Sequence, residues 1–127
     1  MKKTKKHLLL FTIGAVGYGI IELIWRGYTH PTMLVAGGIC FIAFAYIARI
    51  WSRRPLIYKA ALSALAVTAV ELVFGLIFNI GFKMQVWDYS SMPLNFKGQI
   101  CPLFTLLWGV LGFLFVPLAA AIERKID

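Results

Sequence analysis

The chain has 127 residues, of which 61% are hydrophobic and only 14% are charged, and its mean hydropathy is +0.82. Because soluble globular domains carry about 25% charged residues, this composition excludes an ordinary soluble domain and predicts one membrane domain over residues 1–127. The formal net charge is +8, but the basic residues flank apolar runs, which fits membrane topology and argues against nucleic acid as a partner.

Four apolar segments are long enough to cross a hydrocarbon core about 30 Å thick. They comprise residues 8–25, 32–50, 60–82 and 103–122. Each segment must satisfy its own backbone hydrogen bonds in the lipid bilayer, so the sequence predicts an all-α fold, an integral membrane four-helix bundle. The first run exceeds the roughly 7 to 15 residues of a signal-peptide core, so we expect it to be retained as the first span.

The basic residues are distributed unevenly between the two sides of this bundle. With the N-terminus inside, ten lie on the inner side and three, Arg26, Lys83 and Lys97, lie on the outer side. The positive-inside rule therefore predicts a multi-pass protein of a bacterial-type cytoplasmic (plasma) membrane, with both termini cytoplasmic. The inner ten are Lys2, Lys3, Lys5, Lys6, Arg49, Arg53, Arg54, Lys59, Arg124 and Lys125.

The outer end of the first span carries a group of polar residues. Glu22 lies about 21 Å along this helix, in the outer part of the membrane. Arg26 follows four residues later, in the favourable order for a helical ion pair, and His30 lies in the short loop before Pro31. These side chains either fix the end of the helix to the outer segment or form a substrate or proton site, and both interpretations remain open.

The third span contains a carboxylate near its middle. Glu71 lies about 17 Å into the helix, where a charged side chain costs at least about 2.5 to 3.5 kcal/mol, so its partner must be another helix, water or a proton. It is either a functional group or a carboxyl that holds helices together. Glu71 belongs to a row of small or polar residues on one face of this helix, and we expect that face to point into the bundle. They are Ala60, Ala64, Thr68, Glu71, Gly75 and Asn79.

Residues 87–101, here termed the polar segment, separate the third and fourth spans. They mix aromatic, carboxylate, hydroxyl, amide, proline and glycine groups. Trp87 and Tyr89 suit the headgroup zone, and Asp88 followed by two serines is typical of a turn. We expect a structured extracytoplasmic segment, which either packs on the bundle as a rigid lid or contacts a substrate.

Several kinds of site are missing from the sequence. There is no phosphate-binding Gly-x-x-x-x-Gly-Lys-[Ser/Thr] loop, so the chain cannot hydrolyse ATP by itself, and no known catalytic motif requires an enzyme. Cys40 and Cys101 have neither metal-ligand spacing nor the partners of a disulfide framework. We interpret them as small apolar side chains and predict no metal and no cofactor.

A set of motifs recurs along nearly the whole chain: Glu22, Arg26-Gly27, His30-Pro31, Gly37-Gly38, Glu71, Gly75, Asn79, Trp87-Asp88-Tyr89-Ser90, Pro93, Asn95, Gly98-Gln99-Ile100-Cys101 and Trp108-Gly109. With these motifs the chain resembles the putative ABC-transporter type IV family, also called CmpB-like membrane proteins. The resemblance implies a permease and, because four spans are fewer than an ABC permease domain usually has, a separate ATPase subunit or an oligomer. It implies as candidate substrate-binding or proton-linked positions Glu22, Arg26, His30, Glu71, Asn79, Asp88 and Asn95.

We therefore interpret the chain as a transporter or permease subunit for a small substrate, with a polar site formed by Glu22, Glu71 and the polar segment. The alternative is a non-transporting scaffold or partner subunit in which the same groups serve packing. A third interpretation, an outer-interface enzyme acting on a lipid or envelope substrate, requires Glu22, His30 and Asp88 to converge. Four helices leave little room for an internal ligand cavity, so we also expect a homo-oligomer.

Overall fold

The computed structural model describes residues 2–126, except for the side chain of Arg26. Its four long helices are α1 (Lys3–Arg26), α2 (Pro31–Ile50), α3 (Leu56–Phe74) and α4 (Pro102–Ile126). Helix α3 continues directly into a π-helical turn, Gly75–Gly81. All four helices are long and apolar enough to cross a membrane, and the described residues form no strand, so the predicted all-α membrane fold is confirmed.

Three of the helices extend beyond the apolar runs that predicted them. Helix α1 begins at Lys3 instead of residue 8, α3 begins at Leu56 instead of residue 60, and α4 ends at Ile126 instead of residue 122. The predicted bounds followed the apolar residues that lipid requires. A helix can continue past them because its backbone bonds are internal, while long charged side chains reach water from its ends.

Gly27 and Pro31 shape the turn between α1 and α2. Gly27 has a φ of 79°, a left-handed conformation that favours glycine, and its N–H bonds to the carbonyl oxygen of Leu23. Pro31 occupies the first position of α2. His30 caps this helix, because its Nδ1 accepts a hydrogen bond of 3.2 Å from the backbone N–H of Thr32.

The bundle consists of two helical hairpins. Helix α1 packs along α2, α3 packs along α4, and α2 also lies against both α3 and α4. Helices in lipid gain little from burying apolar surface, so close packing and hydrogen bonds hold them together. One such bond, of 2.8 Å, joins Thr68 of α3 to Thr105 of α4. The small-residue face of α3 does turn inward, and its Ala60 and Ala64 are buried. The core comprises Leu10, Phe41, Phe44, Ala45, Ala48, Val67, Val116 and Ala119.

A buried carboxylate joins three helices at the end of the bundle that holds both termini. Glu123 of α4 is 9% exposed, and its Oε2 lies 3.8 Å from Lys6 Nζ on α1 and 3.5 Å from Arg49 Nη1 on α2. Helices α1 and α4 touch at few other positions. The ion cluster therefore closes one end of the gap between them. Glu123 was not predicted from the sequence, because a carboxylate in a basic final turn resembles a solvated side chain.

Both cysteines are free thiols. Cys101 is buried just before α4, and Cys40 lies half-buried on α2.

Candidate functional site

The polar segment has a fixed internal structure, built largely by two of the predicted residues. Asp88 Oδ1 accepts a hydrogen bond of 2.8 Å from the backbone N–H of Ser90. Asn95 Oδ1 accepts one of 2.9 Å from the backbone N–H of Gly98, and its Nδ2 donates to the carbonyl oxygens of Ser90 and Met92. Asp88 and Asn95 therefore fold the polar segment, as turn-forming carboxylate and amide side chains commonly do.

Asp88 is exposed, and its charge state depends on the turn that it forms. The hydrogen bond from the backbone N–H of Ser90, together with one from the Ser90 hydroxyl, holds the pKa of Asp88 below its ordinary value. Both bonds favour the carboxylate over the neutral acid. Asp88 is therefore an anion that stabilises the turn at neutral pH.

The polar segment is anchored to the end of α3 by an amide pair. Gln99 is 5% exposed; its Oε1 accepts a 2.8 Å hydrogen bond from Asn79 Nδ2, and its Nε2 donates to the carbonyl oxygen of Lys97. Asn79 Oδ1 in turn accepts from the backbone N–H of Val86 at 2.7 Å. The indole N–H of Trp87, a buried side chain, donates to the carbonyl oxygen of Gln99. Asn79 thus bonds both to Gln99 within the polar segment and to Val86 just before it.

Two features of the chain allow this close approach. The π-helical turn Gly75–Gly81 carries Asn79, and such turns occur frequently at functional sites. A Cβ atom at Gly75 would lie 2.5 Å from Gln99 Oε1. Only glycine at this position therefore leaves room for Gln99 against the helix.

Glu71 is the point at which α3, α4 and the polar segment meet. Its Oε1 accepts a hydrogen bond of 3.0 Å from the indole Nε1 of Trp108 on α4. Its Oε2 accepts one of 2.9 Å from the hydroxyl of Tyr89. The Tyr89 ring stacks on Phe104, with ring centroids 4.6 Å apart. The sequence left another helix, water or a proton open as the partner of Glu71. In the structure one donor comes from another helix, α4, and a second from the polar segment, and both donors are neutral.

Tyr89 remains a hydrogen-bond donor across the whole physiological pH range. Burial and the adjacent Glu71 raise the pKa of the Tyr89 phenol above its ordinary value, because both disfavour a phenolate. The polar segment is therefore tied to the middle of α3 by a phenol that keeps its proton.

A cavity lies among the four helices, and Glu71 lines it. Its volume is about 210 Å³. Trp87 of the polar segment lies at one end, and Ile122 lies towards the end that holds the termini. Four helices were expected to leave little room for an internal cavity. The cavity present is small and open on one side, because α1 packs closely on α2 and leaves a gap along most of α4.

The cavity opens sideways. Ile13 and Ile21 of α1 and Leu118 of α4 line it and are also exposed on the outer surface of the bundle. These side chains lie in helices that are long and apolar enough to span a membrane. The opening between α1 and α4 therefore faces the apolar surroundings of the bundle.

The predicted site residues fall into two groups. Glu71, Asn79, Asp88 and Asn95 belong to the assembly formed by α3, α4 and the polar segment. Glu22, which is 4% exposed, lies on the α1–α2 hairpin with His30, and it is not among the described residues that line the cavity. The Arg26 side chain lies outside the described part of the chain.

Two of the residues that an enzyme would bring together bond to close neighbours in the chain. Among the described side chains, His30 bonds to Thr32, whereas Asp88 bonds to Ser90. The described residues also contain no group of three or more histidine, cysteine or acidic side chains able to hold a metal ion.

Three contributors to the site were absent from the predicted set of residues, namely Tyr89, Gln99 and Trp108. All three lie in motifs that carry the family resemblance, so that pattern was the one signal that could have identified them. Hydropathy could not, because Trp108 reads as an ordinary apolar residue of a span and Tyr89 as part of an aromatic belt.

Comparison with known protein families gives a match over almost the whole chain. The family model described as putative ABC-transporter type IV matches residues 8–126. The matched region includes α1 from residue 8 onwards, the other three long helices, the polar segment and every site residue described above. No curated protein and no solved structure matches the chain.

Proposed function

This chain belongs to the putative ABC-transporter type IV family, and on that basis we propose that it is a transporter or permease subunit that binds a small substrate beside Glu71. The observation that carries the proposal is the position of this carboxylate. It lines a cavity inside a membrane-spanning bundle and is oriented by donors from two other parts of the chain. Acidic residues at such depth are functional candidates by default.

The polar segment acts as a cover for this site. Tyr89 and Trp87 connect it to Glu71 and to the cavity, respectively, so a substrate that displaces either side chain also disturbs the segment. Asn79 anchors the cover, and Asp88 with Asn95 maintains its shape. Glu22, Arg26 and His30 remain a second set of candidate positions near the α1–α2 turn.

The distribution of basic residues supports an orientation with both termini in the cytoplasm and the polar segment outside. The chain cannot hydrolyse ATP by itself, because its sequence contains no phosphate-binding loop. A separate ATPase subunit is the partner that the family description favours. The exposed apolar helix faces are compatible with a homo-oligomer in the bilayer.

One observation favours the alternative, a non-transporting scaffold. Both oxygens of Glu71 already accept hydrogen bonds from protein donors. In a scaffold, these two bonds hold the polar segment on the bundle and Glu71 binds no substrate. The scaffold predicts that Glu22→Gln and Asp88→Asn lower the thermal stability of the purified protein. It also predicts that neither substitution alters solute flux.

The Glu71→Gln variant tests the proposed function. The amide is nearly isosteric: its oxygen can accept from the Trp108 indole, and its NH2 can donate to the hydroxyl oxygen of Tyr89, so we expect a folded protein. Its downhill flux of a panel of radiolabelled solutes should be lost when equal amounts of each protein are reconstituted into proteoliposomes. Thr68→Val is the matched control, because it removes a hydrogen bond between α3 and α4 from a residue outside the cavity lining. Wild-type flux in a folded Glu71→Gln protein would refute the proposal.

A further inference from the structure

The charge, the lining and the opening of the cavity together restrict the substrate class. Resting on the proposed function, we propose that the cavity binds a lipophilic organic cation, an ammonium or similar group on a compact apolar or aromatic body, with Glu71 as its counter-charge. The occupant follows from charge complementarity and from the chemistry of the cavity wall.

No described side chain pairs a positive charge with the Glu71 carboxylate. Its two hydrogen-bond donors, an indole and a phenol, are neutral, and no described lysine, arginine or histidine side chain pairs with it. A carboxylate has about four acceptor positions, so each oxygen can accept a further bond. A cationic ligand would supply the missing charge, whereas an anion would be repelled.

The rest of the wall suits an organic cation better than a hydrated metal ion. Besides Glu71, the lining is almost entirely apolar and contains no second described acidic or basic side chain. Aromatic faces attract ammonium groups through their quadrupoles, most strongly for tryptophan, and this attraction increases where water is excluded. Six aromatic side chains line the cavity: Tyr18, Phe41, Phe44, Trp87, Trp108 and Phe115.

The size and opening of the cavity favour a ligand that enters from the bilayer. Its volume of about 210 Å³ exceeds the roughly 150 Å³ of an engineered cavity in another protein that binds benzene. A ring-sized apolar group therefore fits. The opening lies between exposed apolar side chains, Ile13, Ile21 and Leu118, so a molecule that partitions into lipid reaches the cavity without crossing a polar barrier.

Binding of benzyltrimethylammonium, compared with its uncharged carbon isostere 2,2-dimethylpropylbenzene, tests the proposal. Both are measured by equilibrium dialysis with the full chain in zwitterionic lipid nanodiscs, after subtraction of uptake by empty nanodiscs. We expect the wild-type protein to bind the cation at least tenfold more tightly than the isostere. Glu71→Gln should weaken cation binding at least tenfold and leave isostere binding within twofold, while Glu71→Asp should retain the preference for the cation.

Each result distinguishes the cation site from the transport function. Equal binding of the two probes by the wild-type protein overturns the cation assignment and leaves a transporter of neutral apolar molecules possible. No binding of either probe overturns the cation site. Cation-selective binding without flux would refute transport while supporting the site. The ratio of the two probe affinities, measured with the wild-type protein, decides whether the site selects a cation even where a Glu71 variant fails to fold.

Discussion

Replacing Tyr89 with phenylalanine removes the hydroxyl that ties the polar segment to Glu71. The ring remains, so its stacking on Phe104 at 4.6 Å is preserved, and the loss is confined to the 2.9 Å hydrogen bond to Glu71 Oε2. A hydrogen bond to a charged group contributes about 1.5 to 3 kcal/mol. Tyr89→Phe should therefore raise the open population of the polar segment by roughly tenfold to a hundredfold.

Amide hydrogen exchange of the protein in nanodiscs measures this opening. Exchange should accelerate at Ser90 and Gly98, whose backbone N–H groups are bonded within the polar segment, and remain unchanged in α1 and α2. Tyr58→Phe is the matched control, because Tyr58 is exposed at the start of α3. Equal exchange in the two variants would show that the Tyr89–Glu71 bond does not hold the polar segment in place.

Three further substitutions test other parts of the assembly. Gly75→Ala should displace Gln99 and destabilise the protein by about 1 to 3 kcal/mol, and an unchanged thermal midpoint would contradict the close contact. Because the pKa of Asp88 is lower in the folded protein, its stabilising effect is lost as pH falls from about 4 through that folded pKa. We therefore expect the polar segment to open in acid, as monitored by limited acid proteolysis. Asp88→Asn should remove this dependence on pH. Glu123→Gln should lower the thermal midpoint, because two basic side chains lose their carboxylate, whereas Lys125→Gln should not.

Part of the candidate site was predictable from one residue at a time. A carboxylate in the middle of an apolar span is costly wherever it points, so Glu71 could be identified from hydropathy and position alone. The turn-forming roles of Asp88 and Asn95 are likewise local, because their side chains bond to backbone groups within a few residues. The partners of Glu71 could not be identified in this way. Trp108 lies 37 residues away in sequence, and its indole meets the carboxylate only after α3 and α4 have packed.

His30 and Glu123 also show that a side chain's partners could not be predicted from the sequence. His30 was a candidate for substrate or proton binding, yet the structure has it cap α2 through Thr32, a role that depends on the backbone conformation of the turn. Glu123 attracted no attention in the sequence, yet it joins α1, α2 and α4 through two basic side chains. Side chains of the same type thus acquire different roles from the neighbours that packing brings to them.

The amino-acid sequence was enough to predict four helices long and apolar enough to cross a membrane, the short turn between α1 and α2, and the position of the polar segment. These features follow from local physics, since the thickness of the bilayer sets the length of an apolar run and lipid forces each run to satisfy its own backbone hydrogen bonds. The tertiary structure alone decided that Glu71 meets Tyr89 and Trp108, and that a cavity opens between α1 and α4. Both depend on how each helix is rotated and which neighbour it packs against, and in lipid those choices rest on close packing and a few hydrogen bonds between distant residues.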